Sequence, residues 1–98
     1  MRAMPTPAPV EPPTPENVHL YRAAVLAWRK AEIEERSRHA DVRLSNPHVA
    51  NRAAALAVHA LAPELTFEQA HLLAQKATNW AAQAHHKWFW RGIPGTGY

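Results

Sequence analysis

The sequence predicts an all-α protein with three helices in a long-short-long order, arranged as a three-helix bundle or an extended helical hairpin. Two observations support this. Apolar residues recur at spacings of three and four in three stretches of the chain, and each stretch begins with a recognisable helix-start pattern. The 98 residues allow one small domain. We divide them into a Pro-rich extended arm (1–14), a helical domain (15–91) and a Gly/Pro-containing aromatic tail (92–98).

The arm contains five prolines among its first fourteen residues. Proline fixes φ and removes a backbone donor, so this segment is predicted to be extended or polyproline-II-like. Two interpretations remain open at this level: a solvated tail, or an arm that lies along a neighbouring subunit or a partner.

The first helix is predicted from Pro15 to about Leu44. Thr14 is placed to cap it, and Pro15 suits its first position because no backbone donor is needed there. The first half is amphipathic. The second half is rich in charge, with carboxylates four residues before arginines, so we expect water to surround it. The pairs with this spacing are Glu32–Arg36 and Glu34–Arg38.

The second helix is predicted over the sequence HVANRAAALAVHALA, with Ser45 or Asn46 as its cap and Pro47 at its first position. It is apolar nearly all round, so it should be covered on most sides, in the middle of the fold or of an assembly. Pro63 ends it. The short link that follows predicts that the second and third helices are antiparallel neighbours or form a corner.

The third helix is predicted from Leu65 to Arg91. Thr66 and Gln69 have the spacing of a capping box. Small residues recur along one face, which we call the alanine seam, and such a face allows another helix to approach closely. We therefore propose its alanines as contact residues. They are Ala74, Ala77, Ala81 and Ala84.

The end of this helix carries three consecutive aromatic residues, Trp88, Phe89 and Trp90. Consecutive side chains point in different directions around a helix, so at least one of these should be exposed or lie against another chain. Together with Arg91 and Tyr98 they form a candidate interface, because Trp, Tyr and Arg are typical interface anchors. The alternative is that the tail folds back and covers them.

The sequence gives little support for catalysis, a metal site or a cofactor. The absence of cysteine excludes disulfides and thiolate ligands. Glu68 and His71 have the spacing found in di-iron helix bundles, but only these two residues match that pattern. The hydroxyl side chains lie mostly in caps or tails, and the glycines near the end follow a helix instead of preceding one. We therefore predict a non-enzymatic protein without a cofactor.

The sequence also limits the expected cellular location of the protein. No run of eighteen apolar residues predicts a membrane span, and the first residues lack the apolar segment of a secretory signal. We expect a cytoplasmic or virion-borne protein. The formal net charge of +3 is mildly basic and is weak support for nucleic-acid binding.

These features predict a protein–protein interaction or assembly protein that binds a protein partner or itself as a homo-oligomer. It could be a structural component of a larger particle such as a phage virion, or an inhibitor that docks on a host protein. The alternative is nucleic-acid binding. The second and third helices resemble a helix-turn-helix element, and the segment KWFWR resembles the end of a homeodomain recognition helix. Against this, the cations of the third helix before Arg91 are only Lys76 and Lys87.

Overall fold

The computed structural model describes residues 10–98, and within this range the chain is helical and has no strand. The helices are α1 (Val18–Ser37), α2 (His48–Leu61), α3 (Phe67–Ala84) and α4 (His86–Trp90), with a 3₁₀ turn at Val42–Leu44. Helices α1, α2 and α3 all pack against one another, and the short α4 packs against α3. The predicted all-α helical bundle is confirmed. None of the described helices combines the length and apolar character that crossing a membrane requires.

The start of α1 is fixed by a reciprocal pair of hydrogen bonds. The Thr14 backbone N–H donates to Asn17 Oδ1 at 2.7 Å, and the Asn17 N–H donates to Thr14 Oγ1 at 3.3 Å. The Thr14 side chain thus bonds within the turn that precedes α1, whereas the cap position of the helix itself is Asn17, so the prediction that Thr14 caps this helix is wrong. Residues 15–17 form a turn, and the regular helix begins only at Val18. Of the predicted arm, residues 1–9 lie outside the described range, and residues 10–14 have no regular secondary structure.

The prediction that the first helix continues to Leu44 is wrong. α1 ends at Ser37, and the backbone of Asp41 is extended. The Asp41 carboxylate accepts a hydrogen bond from the Arg43 N–H at 2.9 Å, which begins the separate 3₁₀ turn. A short polar side chain that bonds to the nearby backbone favours a turn over a continued helix.

The prediction that water surrounds the second half of α1 is wrong for one face of the helix, although Glu34 and Arg38 on the other face are exposed. Glu32 and Glu35 are only 6% and 7% exposed. Arg36 lies 3.6 Å from Glu32 and donates through Nη1 to the Pro94 carbonyl at 2.8 Å, so the C-terminal tail covers this part of the helix. His39 Nε2 lies 3.0 Å from Glu35 Oε1. Glu32, Glu35, Arg36 and His39 thus bond to one another or to the tail backbone.

The second helix begins and ends close to its predicted positions. Its inner face is made of small residues, and one polar contact joins it to α1, where Trp28 Nε1 donates to Asn51 Oδ1 at 3.0 Å. The coverage expected on most sides is incomplete, because Leu56 and Leu61 are about half exposed. The buried residues of α2 are Ala50, Ala54, Ala55 and Val58.

The third helix has the predicted capping box. The Gln69 N–H donates to Thr66 Oγ1 at 3.1 Å, and the Thr66 N–H donates to Gln69 Oε1 at 2.8 Å. The prediction of a continuous helix to Arg91 is wrong, because a break in the helix occurs at His85, where φ is −126° and ψ is 46°. The break redirects α4 so that Phe89 enters the core and its ring stacks on Trp28 at 5.0 Å.

The tail after α4 folds back onto the bundle. Ile93 is buried, and the Thr96 hydroxyl lies within hydrogen-bonding distance of the Trp90 and Ile93 carbonyls, at 3.0 and 2.8 Å. Gly95 has a φ of +84° and passes so close to Val42 that a Cβ there would lie 2.8 Å from a Val42 methyl group. The tail is therefore part of the folded unit.

Candidate protein-binding groove

The three consecutive aromatic residues divide between the core and the surface. Phe89 is 1% exposed and belongs to the core, and Trp90 is half-buried with its ring edge-on to Trp28 at 5.9 Å. Trp88 is 44% exposed. One large aromatic is therefore exposed, as the pattern required. The prediction that Phe89 belongs to the interface is wrong, because its side chain fills the bundle interior and has almost no exposed surface for a partner to contact.

Trp88 is held in place by a cation from α1. The Arg29 guanidinium carbon lies 4.6 Å from the Trp88 ring centroid, in cation–π geometry. Arg29 also donates through Nε to the Phe89 carbonyl at 3.0 Å and through Nη2 to the Arg91 carbonyl at 2.6 Å. The last carbonyls of a helix have no partners within it, so a cation placed there satisfies them and interacts favourably with the helix dipole. One side chain thus fixes the end of α4 and presents Trp88.

An open groove of about 330 Å³ lies beside Trp88. One side is a stripe of α1, and the other side comes from the end of α3 and from α4. Its bottom is formed by well-buried side chains, and its edges include the exposed Val18 and Leu26. The residues that line it are Pro13, Val18, Tyr21, Arg22, Val25, Leu26, Trp80, Ala81, His85 and Trp88.

The groove is lined mostly by apolar groups. Tyr21 and Trp80 pack with ring centroids 6.0 Å apart, and His85 meets Trp80 edge-on at 5.0 Å. The Tyr21 hydroxyl donates to the Glu11 carbonyl at 2.9 Å, which ties residues 10–14 to the bundle. Burial raises the pKa of Tyr21, and the nearby Glu11 carboxylate raises it further, whereas Lys76 acts in the opposite direction. Tyr21 is therefore neutral at physiological pH.

The lining includes two basic side chains, Arg22 and His85, and no carboxylate. Arg29 adds a positive charge next to Trp88, and Lys87 and Arg91 are exposed on and just after α4. Glu11, the acidic residue that contacts this region through Tyr21, has its carboxylate 3.3 Å from Lys76. The groove is therefore apolar at its centre and positively charged at its edge.

The alanine seam lies mainly inside the bundle. Ala74, Ala77 and Ala81 are buried in the core, and Ala81 also lines the groove. Ala84, the fourth predicted contact residue, is exposed. The close approach of helices that the seam predicted is thus made within one chain, and its alanines leave little area for another molecule.

Arg91 and Tyr98, the remaining candidates, lie near the end of α4. Arg91 is exposed, and Tyr98 is about half exposed with its hydroxyl 2.6 Å from His86 Nε2. His86 Nδ1 lies 3.2 Å from the Ala82 carbonyl. A carbonyl can only accept, so Nδ1 carries the hydrogen, and in the neutral ring Nε2 accepts from the Tyr98 hydroxyl. The structure therefore brings Arg91, Tyr98 and Trp88 to the same end of the molecule.

Several groove residues were not among the sequence candidates, including Val18, Arg22, Leu26 and His85. A signal was present, because α1 has two adjoining apolar stripes that together are wider than the face one neighbouring helix covers. One stripe is Val18, Tyr21, Val25 and Trp28, and the other is Leu20, Ala24, Ala27 and Ala31. The pattern does not show which part stays uncovered. That depends on the break at His85, which positions α4.

A second, more polar groove of about 710 Å³ lies between α2 and α3. It includes Arg52, His48 and His71, and Phe67 stacks on His71 with centroids 6.5 Å apart. Glu68 and His71, the pair with metal-type spacing, lie at this end of α3. Among residues 10–98 no group of three or more His, Cys, Asp or Glu side chains is placed to hold a metal ion.

Comparisons with models of protein families, with curated proteins and with solved structures find no match to this chain.

Proposed function

We propose that this chain is a non-enzymatic protein-binding protein and that it contacts its partner through the groove between α1, α3 and α4. The observation that carries the proposal is the exposed Trp88, held by Arg29 at the edge of an open apolar groove. A large aromatic fixed before binding loses little conformational freedom when a partner covers it, so more of the contact energy contributes to affinity.

The exposed apolar groups of this groove support the proposal. Val18, Leu26 and Trp88 are each nearly half exposed and all line the same groove. Single exposed apolar residues are ordinary on protein surfaces, whereas a contiguous group around a concavity is typical of a binding site. Tryptophan and arginine are also the residues that most often dominate the energy of interfaces.

Two biological settings fit the proposal: a small structural component of a larger particle, such as a phage virion, and an inhibitor that docks on a host protein. Both need a preformed protein-binding face on a small helical scaffold. In the first setting the partner could include further copies of the chain. Light scattering across a dilution series separates self-association from a requirement for a different molecule.

The experiment that tests the proposal is site-specific photo-crosslinking in cells of the source organism. A benzophenone amino acid replaces Leu26 at the groove edge, and in the control it replaces the similarly exposed Leu61 at the end of α2, which lines neither groove. We expect a discrete protein adduct from position 26 that is lost with Trp88→Ala. Equal adducts from both positions would contradict the proposal, as would a position-26 adduct that nuclease removes. The latter result would favour the alternative, a helical nucleic-acid-binding protein.

A further inference from the structure

Resting on the proposed function, we infer the class of partner: the groove takes a short amphipathic helix whose apolar side chains enter it and whose flanking side chains are acidic. The observation behind this is the combination of an apolar groove, built along one stripe of α1, with a positively charged edge that has no carboxylate among the lining residues.

The shape of the groove suits a helical partner. Val18, Arg22 and Val25 recur at helical spacing on the groove side of α1, and Arg29 continues the same stripe to Trp88. From Val18 to Leu26 the helix rises about 12 Å, which equals roughly two turns of a partner helix lying alongside. A partner helix presents apolar anchors at the same spacing, so its side chains can enter such a groove in succession.

The backbone along the groove also favours a helical partner. Among residues 10–98 there is no strand, so the described chain offers no sheet edge to which an extended peptide could add. The backbone groups along the groove are those of helices, whose hydrogen bonds are made internally. A partner must therefore satisfy its own backbone groups while its side chains are buried, and a helix does this.

The charges at the groove edge favour an acidic partner. Arg22 lies in the lining, Arg29 lies beside the lining residue Trp88, and Lys87 is its exposed neighbour in the chain. Acidic side chains beside the apolar anchors would lie against these cations, and such complementarity speeds association and selects partners. A second copy bound through the same face fits poorly, because a two-fold contact would place two positively charged edges together.

The test uses the 98-residue chain and two labelled probe peptides of about 16 residues, a length of about 24 Å as a helix. Both carry the same leucine and tryptophan anchors at helical spacing. One has glutamates beside the anchors, and the other has lysines at those positions. Fluorescence anisotropy measures the affinity of each peptide, and circular dichroism verifies that every protein variant is folded.

We expect the glutamate peptide to bind at least about tenfold more tightly than the lysine peptide, a difference of about 1.4 kcal/mol. Arg22→Glu should remove most of this preference. The matched control is Arg52→Glu, which makes the same charge change in the groove between α2 and α3 and should leave the preference unchanged. Trp88→Ala should weaken the binding of both peptides.

The inference is overturned if the two peptides bind equally or if Arg22→Glu and Arg52→Glu have the same effect. Preferential binding of a DNA duplex or of phosphatidylserine vesicles over the glutamate peptide, removed by Arg22→Glu, would also overturn it. Its failure is distinct from failure of the proposed function. If the two peptides bind equally and Trp88→Ala weakens the binding of both, the groove is still a protein-binding site, and only the inference of an acidic partner is wrong. If the crosslink from position 26 also fails, the proposed function fails with it.

Discussion

Arg29 of α1 and Trp88 of α4 lie 4.6 Å apart, guanidinium carbon to ring centroid, although 59 residues separate them in the chain. The same arginine donates to two backbone carbonyls near the end of α4. This contact orders the exposed aromatic residue and also attaches a five-residue helix that could not be stable alone.

Replacing Arg29 should therefore destabilise the protein. In Arg29→Met the aliphatic volume is kept, but the Phe89 and Arg91 carbonyls lose their donor, which should lower the free energy of unfolding by about 1–3 kcal/mol. Lys30→Met, which removes a charge from the exposed neighbouring position, should change it by less than about 0.5 kcal/mol. Urea unfolding measures both. Equal effects would show that the carbonyl contacts contribute little.

The position of the tail can be tested at two glycines with similar backbone geometry. Gly95 and Gly97 have φ values of +84° and +77°, so alanine is strained at both, by roughly 1–2 kcal/mol. Only at Gly95 would the new Cβ collide with Val42, a β-branched side chain with little freedom to move. Gly95→Ala should therefore be less stable than Gly97→Ala by about 1–3 kcal/mol in thermal unfolding. Equal losses would mean that the tail does not pack on Val42.

The internal position of the alanine seam gives a third prediction. Ala77 is fully buried, so Ala77→Leu inserts a large side chain where three helices meet and should cost about 1–3 kcal/mol or more. Ala84→Leu makes the same change at an exposed seam position and should stay within about 0.5 kcal/mol. Chemical denaturation compares the two variants. A tolerated Ala77→Leu would indicate that the helices do not approach closely there.

Tyr21 should give the protein a specific sensitivity to alkaline pH. Its pKa is raised in the folded state, mainly by burial and then by Glu11, above the value of about 10 expected for an unfolded chain. Between these two pKa values the unfolded state loses the proton more readily. The stability that Tyr21 contributes is therefore complete below about pH 10 and is lost as the pH rises through the folded pKa.

Unfolding free energies at about pH 8 and about pH 11 test this effect in Tyr21→Phe. At the lower pH the variant should lose about 1 kcal/mol with the hydrogen bond to the Glu11 carbonyl. Between the two pH values it should lose less stability than the unaltered protein, because it has no buried phenol to ionise. Tyr98→Phe, at the more exposed tyrosine, is the control. Parallel pH dependence of Tyr21→Phe and the unaltered protein would contradict the prediction.

The helix starts could be predicted because their causes are local. The capping box of Thr66 and Gln69 involves residues three apart, and both of its hydrogen bonds are present in the structure. The hydrogen bonds between Thr14 and Asn17 are equally local, but the helix begins at Val18 instead of Pro15, and its cap position is Asn17 instead of Thr14. Such contacts form between chain neighbours whatever the rest of the fold does.

The ends of the helices were predicted less well than their starts, because they depend on contacts between residues that are distant in sequence. The predicted long helix is interrupted at His85, and Phe89, four residues later, enters the core against Trp28. Trp28 lies 61 residues before Phe89 in the chain. The charged half of α1 resembles a solvated helix in sequence, yet Arg36 bonds to the carbonyl of Pro94. Neither the helix break at His85 nor the contact of Arg36 with the tail can be predicted from the apolar periodicity of the helix in which it occurs.

The sequence by itself determined the helical class, the order of α1, α2 and α3, the capping box that starts α3 and the small residues along α3. Periodicity and capping chemistry act over three or four residues, so these features are set locally. Only the tertiary structure decided that the alanine seam is internal, that Phe89 is core and Trp88 is surface, and that Val18, Arg22 and Leu26 border a groove. The physical reason is that burial depends on which helix faces are covered. That coverage is set by the packing of all the helices together, and by Arg29 holding α4 against α1.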